Sequence, residues 1–496
     1  MILGPNGQPL TRPQAAAPKV RARYDAAVTD HENKNHWANV DHFSARAANN
    51  IQVRRILRDR ARYERANNSY CAGIILTLAN DTIGTGPRLQ VNTEDESLNE
   101  TIAKAWEEWS RCAGLAQKLH TMRQSRAVDG EAFALLVTNP RLGTDVQLDL
   151  KLLDAEQVST PFPYPLNPHV DDGMVIDDQG NVVEWHVLKY HPGDMFYYGF
   201  PFQFDRLSPS HVIQWFRADR PWQFRGVPEI TPALPLFAQL RRYTLAVLAA
   251  AETAADFAAV IQTDMPPDSD DFEVGTPFET MPIDKRMMTT LPAGYKLGQF
   301  KAEQPAQNYE MFKDAILNEI ARCMNMPFNV AAGNSKNYNY SSGRLDHQTY
   351  HKAIGVDRNH LERNVLEPVF TAWVAEARLA TSIIPADLQT IPYQWYWDGF
   401  GHVDPAKEAN AQETRLASCT TTLAHECARE GRDWRQVIRQ RAREIAEMRS
   451  LGLPIAEPSG TVLAPEVDES DDTIAPPASA AHRGRNGFLS HYRNGD

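Results

Sequence analysis

Leu236, Leu240, Tyr243, Val247, Ala250, Ala254, Ala258 and Ile261 recur at steps of three and four, the spacing of one face of an α-helix. Pro235 suits its first turn. A helix over 235–262 would be roughly 40 Å long at 1.5 Å per residue, so any fold containing it must supply a partner along that length. Alanine dominates the seam and its flanks, and small side chains let backbones come close. The pattern fits a helix packed against copies of itself in neighbouring chains, and equally a helix buried within one subunit.

The remaining segments predict an α+β body around this helix. Residues 1–49 are rich in Gly, Pro and Ala with mixed charges and read as a mobile arm. Periodicity predicts helices over 51–63, 72–80, 98–112 and 118–129. Arg54, Arg55, Arg58, Arg60, Arg62 and Arg65 crowd the first of these against only Asp59 and Glu64. They fit a solvated face, or a patch for DNA or for an acidic neighbour. Trp106 and Trp109 fall on the apolar face of the third helix and read as core. Strands are expected at 130–137, 147–153, 174–177, 182–190 and 211–216, with Asp-Gly and Gly-Asn turns between them. Gly84-Thr85-Gly86-Pro87 follows a helix rather than a strand, so it reads as a turn and not as a phosphate loop. After the long helix, 263–305 carries Asp264, Asp268, Asp270, Asp271, Glu273 and Glu279 ahead of its first Lys. A helix returns over 309–324. Another runs over 344–379 with Pro368 expected to kink it. Helices at 404–418 and 433–450 precede a Pro-, Ser- and Asp-rich tail, 454–496, read as disordered.

Composition narrows the function. The net charge of −12 argues against a tight static grip on duplex phosphates. It leaves room for a channel whose negative wall lets DNA slide. The 245–261 stretch contains Glu252 and Asp256, which excludes a membrane span, and no signal peptide is visible at Met1-Ile2-Leu3-Gly4-Pro5. Cys71, Cys112, Cys323, Cys419 and Cys427 are odd in number and scattered, which fits a reducing cytosol. Cys419, His425 and Cys427 match no zinc spacing. No nucleophile elbow or ATP-binding loop occurs. Asp346 and His351 lie roughly 140° apart on a helix and cannot form a triad with Ser342. His347 and His351 lack the acid of a zinc-protease motif. Neither an enzyme nor a cofactor is expected.

One further segment, Asn337-Tyr338-Asn339-Tyr340-Ser341-Ser342-Gly343-Arg344, follows the helix end Ile320-Ala321-…-Pro327. It is too polar for core and too rich in tyrosine for a plain linker. It resembles the N-Y-S-S-x-R loop of lambda-type phage portal proteins. Arg220-Pro221-Trp222-Gln223-Phe224-Arg225-Gly226-Val227-Pro228, Asp172-Gly173, Trp185-His186-Val187, His191-Pro192-Gly193-Asp194 and Asp404-Pro405-Ala406-Lys407-Glu408 resemble further motifs of that family, in the family's order. So does 65–70, where Asn68 or Ser69 would cap the next helix. The resemblance implies a dodecameric ring at one capsid vertex that nucleates shell assembly and passes double-stranded DNA. It implies a wing (50–230, with a kinked helix and return strand at 344–400), stem helices (231–262 and 306–326), a clip (263–305) and a helical crown (401–453). It also implies a tunnel loop (327–343), with Lys336, Asn337, Tyr338, Asn339, Tyr340, Ser341 and Ser342 facing DNA. The acidic clip residues Asp264, Asp268, Asp270, Asp271, Glu273 and Glu279 would dock the terminase large subunit and later the head-tail adaptors. Major capsid and scaffold proteins would meet the wing, and no membrane is involved.

Overall fold

The computed structural model describes residues 34–35, 37–38, 40–160, 167–194, 203–256, 260–263, 295–298, 306–336, 339–385, 388, 390–400 and 405–454. They fall into two compact units, 1–434 and 435–496.

The first unit opens with a helical layer. A short helix α1 (Ala45–Ala48) precedes α2 (Ile51–Asn67) and α3 (Ser69–Ile83). Asn68 ends α2 and caps α3, its side chain accepting from the backbone N–H of Tyr70 and Cys71. Of the two caps expected from the sequence, Asn68 or Ser69, it is Asn68, and it satisfies N–H groups that a helix start otherwise leaves open. Strand β1 (Arg88–Val91) leads to α4 (Glu96–Cys112) and α5 (Leu115–Asp129). Trp106 and Trp109 are both buried, as their spacing predicts. Next come β2 (Glu131–Thr138), β3 (Leu148–Leu153), β4 (Val170–Asp171), β5 (Met174–Ile176), β6 (Val182–Leu188), β7 (Phe204–Leu207) and β8 (Val212–Phe216). They make two antiparallel sheets, ordered β3-β2-β8 and β4-β5-β6-β7.

The long helix is shorter than its pattern. Helix α6 spans Leu234–Asp256, and Val260–Thr263 is a strand, β9, paired antiparallel with β10 (Tyr295–Gly298). Val260, Ile261 and Thr263 are β-branched and favour the strand once a partner exists. The pair sets Thr263 opposite Tyr295 and so brackets 264–294. Helix α7 (Ala306–Cys323) returns, followed by α8 (Phe328–Ala332), α9 (Tyr340–Leu361) and α10 (Glu367–Ala380). Helix α9 begins four residues before the expected start. Between α9 and α10 the chain makes a π-helical turn, Glu362–Leu366. Pro368, which cannot donate a backbone hydrogen bond, sits in the first turn of α10 just beyond it. The expected irregularity is therefore a π-turn ahead of the proline. Strand β11 (Tyr393–Tyr396) pairs with β1 across the chain. Helices α11 (Pro405–Ala417) and α12 (Leu423–Arg429) follow. The sequence pattern passed over α12, which has only seven residues.

Three buried clusters hold the first unit. One joins α4, α5, β2, β3 and β8 to the π-turn and α10. A second joins α2, α3 and α5 to α6, α7, α8 and α9. The third lies between β2, β3, β5, β6 and β8. In the second unit the described helix is α13 (Trp434–Ser450), on which no residue is buried. No helix among the described residues is long and apolar enough to cross a membrane.

Candidate functional site

Helices α6 and α7 carry the candidate surface because their burial changes along their length. Leu234, Phe237 and Leu240 of α6 pack with Ile316, Leu317, Ile320 and Ala321 of α7 inside the second core. One turn farther from that core the pair stays joined by aromatic rings. Tyr243 stacks on Tyr309 at 5.7 Å and meets Phe312 at 4.7 Å, and Thr244 hydrogen-bonds the Tyr309 hydroxyl at 3.1 Å. On the outer sides, Leu245 and Leu248 are 60% and 54% exposed, and Met311 and Phe312 are 68% and 49% exposed. A lone subunit thus shows apolar side chains on both helices, with Leu245 and Leu248 lying off the apolar seam that the spacing of α6 marks.

The turn after α8 is built from local constraints. Gly333 closes α8 at φ +62°, a left-handed angle that favours glycine. The Asn334 side chain then accepts from the backbone N–H of Lys336 at 2.9 Å. Lys336 Nζ reaches back to Glu310 Oε1 on α7, also at 2.9 Å. That contact holds the lysine above its ordinary pKa and the carboxylate below its own. Asn337 and Tyr338 lie outside the described residues. Asn339 is exposed, and its carbonyl accepts from Gly343 N–H at 2.8 Å, starting α9. Tyr340, Ser341 and Ser342 therefore stand in the first helical turn and not in an open loop. Part of the expected tunnel loop is helical, in α8 and at the start of α9, because the backbone N–H groups there find i−4 carbonyls. Asp264, Asp268, Asp270, Asp271, Glu273 and Glu279 all lie outside the described residues.

Of the arginines of α2, Arg54, Arg58 and Arg62 turn toward acids of the same chain, whereas Arg55 and Arg60 stay on the solvated face. Arg54 and Arg58 are buried, and Arg62 is half-buried. Arg54 pairs with Asp172 at 2.7 Å, Arg58 with Glu131, and Arg62 with Asp129, Asp154 and Glu156 at 2.6–2.9 Å. The acidic neighbour belongs to the same chain. Arg225, from the Arg-Gly step of the 220–228 motif, completes the cluster. Its guanidinium grips Glu131 at 2.7 Å and donates to the carbonyls of Val158 and Ala155 at 3.0 and 3.2 Å. Burial alone would raise the Glu131 pKa, but Arg225 and Arg58 outweigh it and hold the carboxyl below its usual range. The next residue, Gly226, lies flat against Gly130, and a Cβ there would sit 2.0 Å from the Gly130 carbonyl oxygen. The motif is thus a structural joint between α2, β2 and the 172–173 turn.

A second buried cluster ties α5 to α9. Arg123 and Arg126 hold Glu229 at 3.0 and 2.8 Å and both reach Asp357 at 2.9 Å, with Arg126 over the Trp215 ring. Burial opposes ionisation of Glu229, yet the two arginines hold its pKa at about 2. By contrast, burial lifts Asp129 to about 6, only partly countered by Arg62. Asp154, Glu156 and His191 come within 4.8 Å of one another. Arg62 already neutralises both carboxylates of that group, so it is read as part of the ion-pair network.

Sequence reasoning missed Glu310 and Glu131. Neither stands in a motif, and each acquires its role only through a partner distant in the chain.

Residues 32–358 match a family model described as "Phage portal protein, lambda family". Over 459 residues the chain is 24% identical to the "Probable portal protein" of Halomonas phage phiHAP-1, covering 84% of this chain and 86% of that protein. It is 22% identical over 201 residues to "Portal protein B" of Escherichia phage lambda, covering 37% and 38% respectively. A solved chain from "Virion of native gene transfer agent (GTA) particle" aligns at 13% identity over 80% of this chain and 94% of that chain, with a TM-score of 0.41.

Proposed function

The chain belongs to the lambda family of phage portal proteins, and on that premise we propose that it is one subunit of a dodecameric ring at a single capsid vertex. Double-stranded DNA enters through the ring during packaging and leaves through it at ejection. The observation that carries this reading is the exposed apolar flank of α6 and α7, with Leu245, Leu248, Met311 and Phe312 open to solvent in one subunit. A neighbouring copy placed side by side would cover that flank, as exposed apolar patches on soluble proteins generally require.

The segment 327–343 then faces the channel, with Lys336, Asn337, Tyr338, Asn339, Tyr340, Ser341 and Ser342 nearest the duplex. Their contacts are polar, many and blind to sequence. The net charge of −12 fits a conduit that does not hold DNA tightly. The segment 263–305, with Asp264, Asp268, Asp270, Asp271, Glu273 and Glu279, docks the terminase large subunit and later the head-tail adaptor proteins. The 50–230 body meets major capsid and scaffold proteins, and 401–453 faces the head interior. No catalytic role is proposed.

Native mass measurement with negative-stain imaging of the purified protein tests the ring. Closed rings of about a dozen copies with a central hole, alone or with scaffold and shell protein, are expected. A monomer or dimer that stays so at high concentration and with those proteins present would replace the channel with a non-channel adaptor.

A further inference from the structure

Glu310 and Lys336 form an exposed ion pair at 2.9 Å, the two side chains 60% and 62% accessible. They stand 26 residues apart, so the pair is no by-product of helix spacing. It links the outer part of α7 to the turn that follows α8. The backbone of that turn is set by Gly333 and by the Asn334 hydrogen bond to Lys336 N–H. The Lys336 side chain can therefore change partner without moving the turn.

We propose that Glu310 is an internal competitor for the DNA backbone. It holds Lys336 against the stem when the channel is empty and yields it to a passing phosphate. The inference rests on the reading that this turn faces the duplex, and it adds a residue that nothing else assigns to DNA handling.

The chemistry of exchange is balanced on both sides. A carboxylate and a phosphate each offer a lysine an anionic oxygen, so exchange replaces one charge-assisted hydrogen bond by another. The pair is open to water and screened by salt, so breaking it costs little. Once Lys336 leaves, Glu310 is an unpaired negative charge beside the phosphate and repels it. Lys313 on the same helix offsets that charge in part, and Asp314 adds to it. Each lysine–phosphate contact is thereby weaker than a free lysine would make it. A channel needs this property, because every contact must be released as DNA advances. Around a ring the same discount is repeated by every subunit.

The test measures binding of a short fluorescent duplex to assembled rings from about 50 to 200 mM salt, the range over which phosphate contacts lose most affinity. Glu310→Gln keeps the size and removes the charge. It is expected to tighten binding about threefold or more at the low-salt end and to steepen the salt dependence. Glu310→Asp should behave like the parent ring, and the Glu310→Gln, Lys336→Gln double variant should lose the tightening seen in Glu310→Gln, binding better than Lys336→Gln alone only because the unpaired carboxylate no longer repels the phosphate. If Lys336→Gln weakens binding but Glu310→Gln matches the parent, the competitor role is wrong and the DNA-facing reading stands. If Lys336→Gln changes nothing, the turn does not face the duplex and both fail.

Discussion

Arg225 shows how a motif residue works here. It is 1% exposed and pairs with a Glu131 side chain that is fully buried. Replacing it with methionine keeps the bulk but removes the strongest partner of a buried carboxylate, leaving Arg58 as the one arginine paired with Glu131, beside hydrogen bonds from Gln214 and the Gly226 N–H. Breaking a buried pair from one side typically costs about 3–5 kcal/mol. Arg225→Met should therefore lower the urea midpoint of the folded subunit markedly, whereas Arg55→Met, on the exposed side of α2, should leave it nearly unchanged. Equal midpoints for the two variants would remove the hub from the account of stability. Acid should probe the second cluster. Glu229 titrates at about 2 in the folded chain against a reference of 4.5, so it binds its proton later than the unfolded chain does. Its contribution is fully present above pH 4.5 and is lost as pH falls toward 2. Asp129, raised to about 6, contributes with the opposite sign, favouring the fold as pH falls below 6. Urea midpoints against pH should show the Glu229 loss between those limits, and Glu229→Gln should flatten that part of the curve.

At the level of elements, α6 and α7 separate folding from assembly. Their inner turns belong to the second core, and their outer turns expose leucines, a methionine and a phenylalanine. Surface substitutions of this kind usually change stability by less than about 0.5 kcal/mol. Leu245→Glu with Leu248→Glu and Met311→Glu should leave the melting of the dilute subunit within a degree or two of the parent while abolishing rings in native mass spectra. A variant that still forms rings would place the subunit contact elsewhere. The π-turn at 362–366 places Val365 and Leu366 fully inside the first core. An ordinary α-turn would rotate the residues beyond it by about 100°, the angle per residue in a helix of 3.6 residues per turn.

For the whole molecule, the two units differ in kind. Residues 1–434 contain all three apolar clusters, while α13 carries Arg435, Arg439, Arg441, Arg443 and Arg449 against Glu444 and Glu447 and has no buried residue. The tail beyond 454, rich in Pro, Ser, Ala and Asp, lacks the composition to build a core. Deleting 454–496 is expected to leave ring formation intact by imaging, and loss of rings would assign the tail an assembly role. Neutralising the acids at 264–279 should weaken capture of the terminase large subunit without altering the melting of the chain. Unchanged capture would move the docking site.

The sequence by itself determined the family and most elements. Motif order, helix period and strand alternation are local, and Trp106, Trp109 and the Asn68 cap are legible from a few neighbours. It did not determine which charges turn inward. Arg58 finds Glu131 73 residues away, Arg225 finds it 94 away, and Lys336 finds Glu310 across the α7–α8 turn. Nor did it show that Val260–Thr263 leaves the helix, since a strand forms only when Tyr295–Gly298 supplies the other half of its ladder. Periodicity reports which face a residue shares. Tertiary structure decided what that face meets, because a charge is buried or a strand paired only when a distant segment provides the partner.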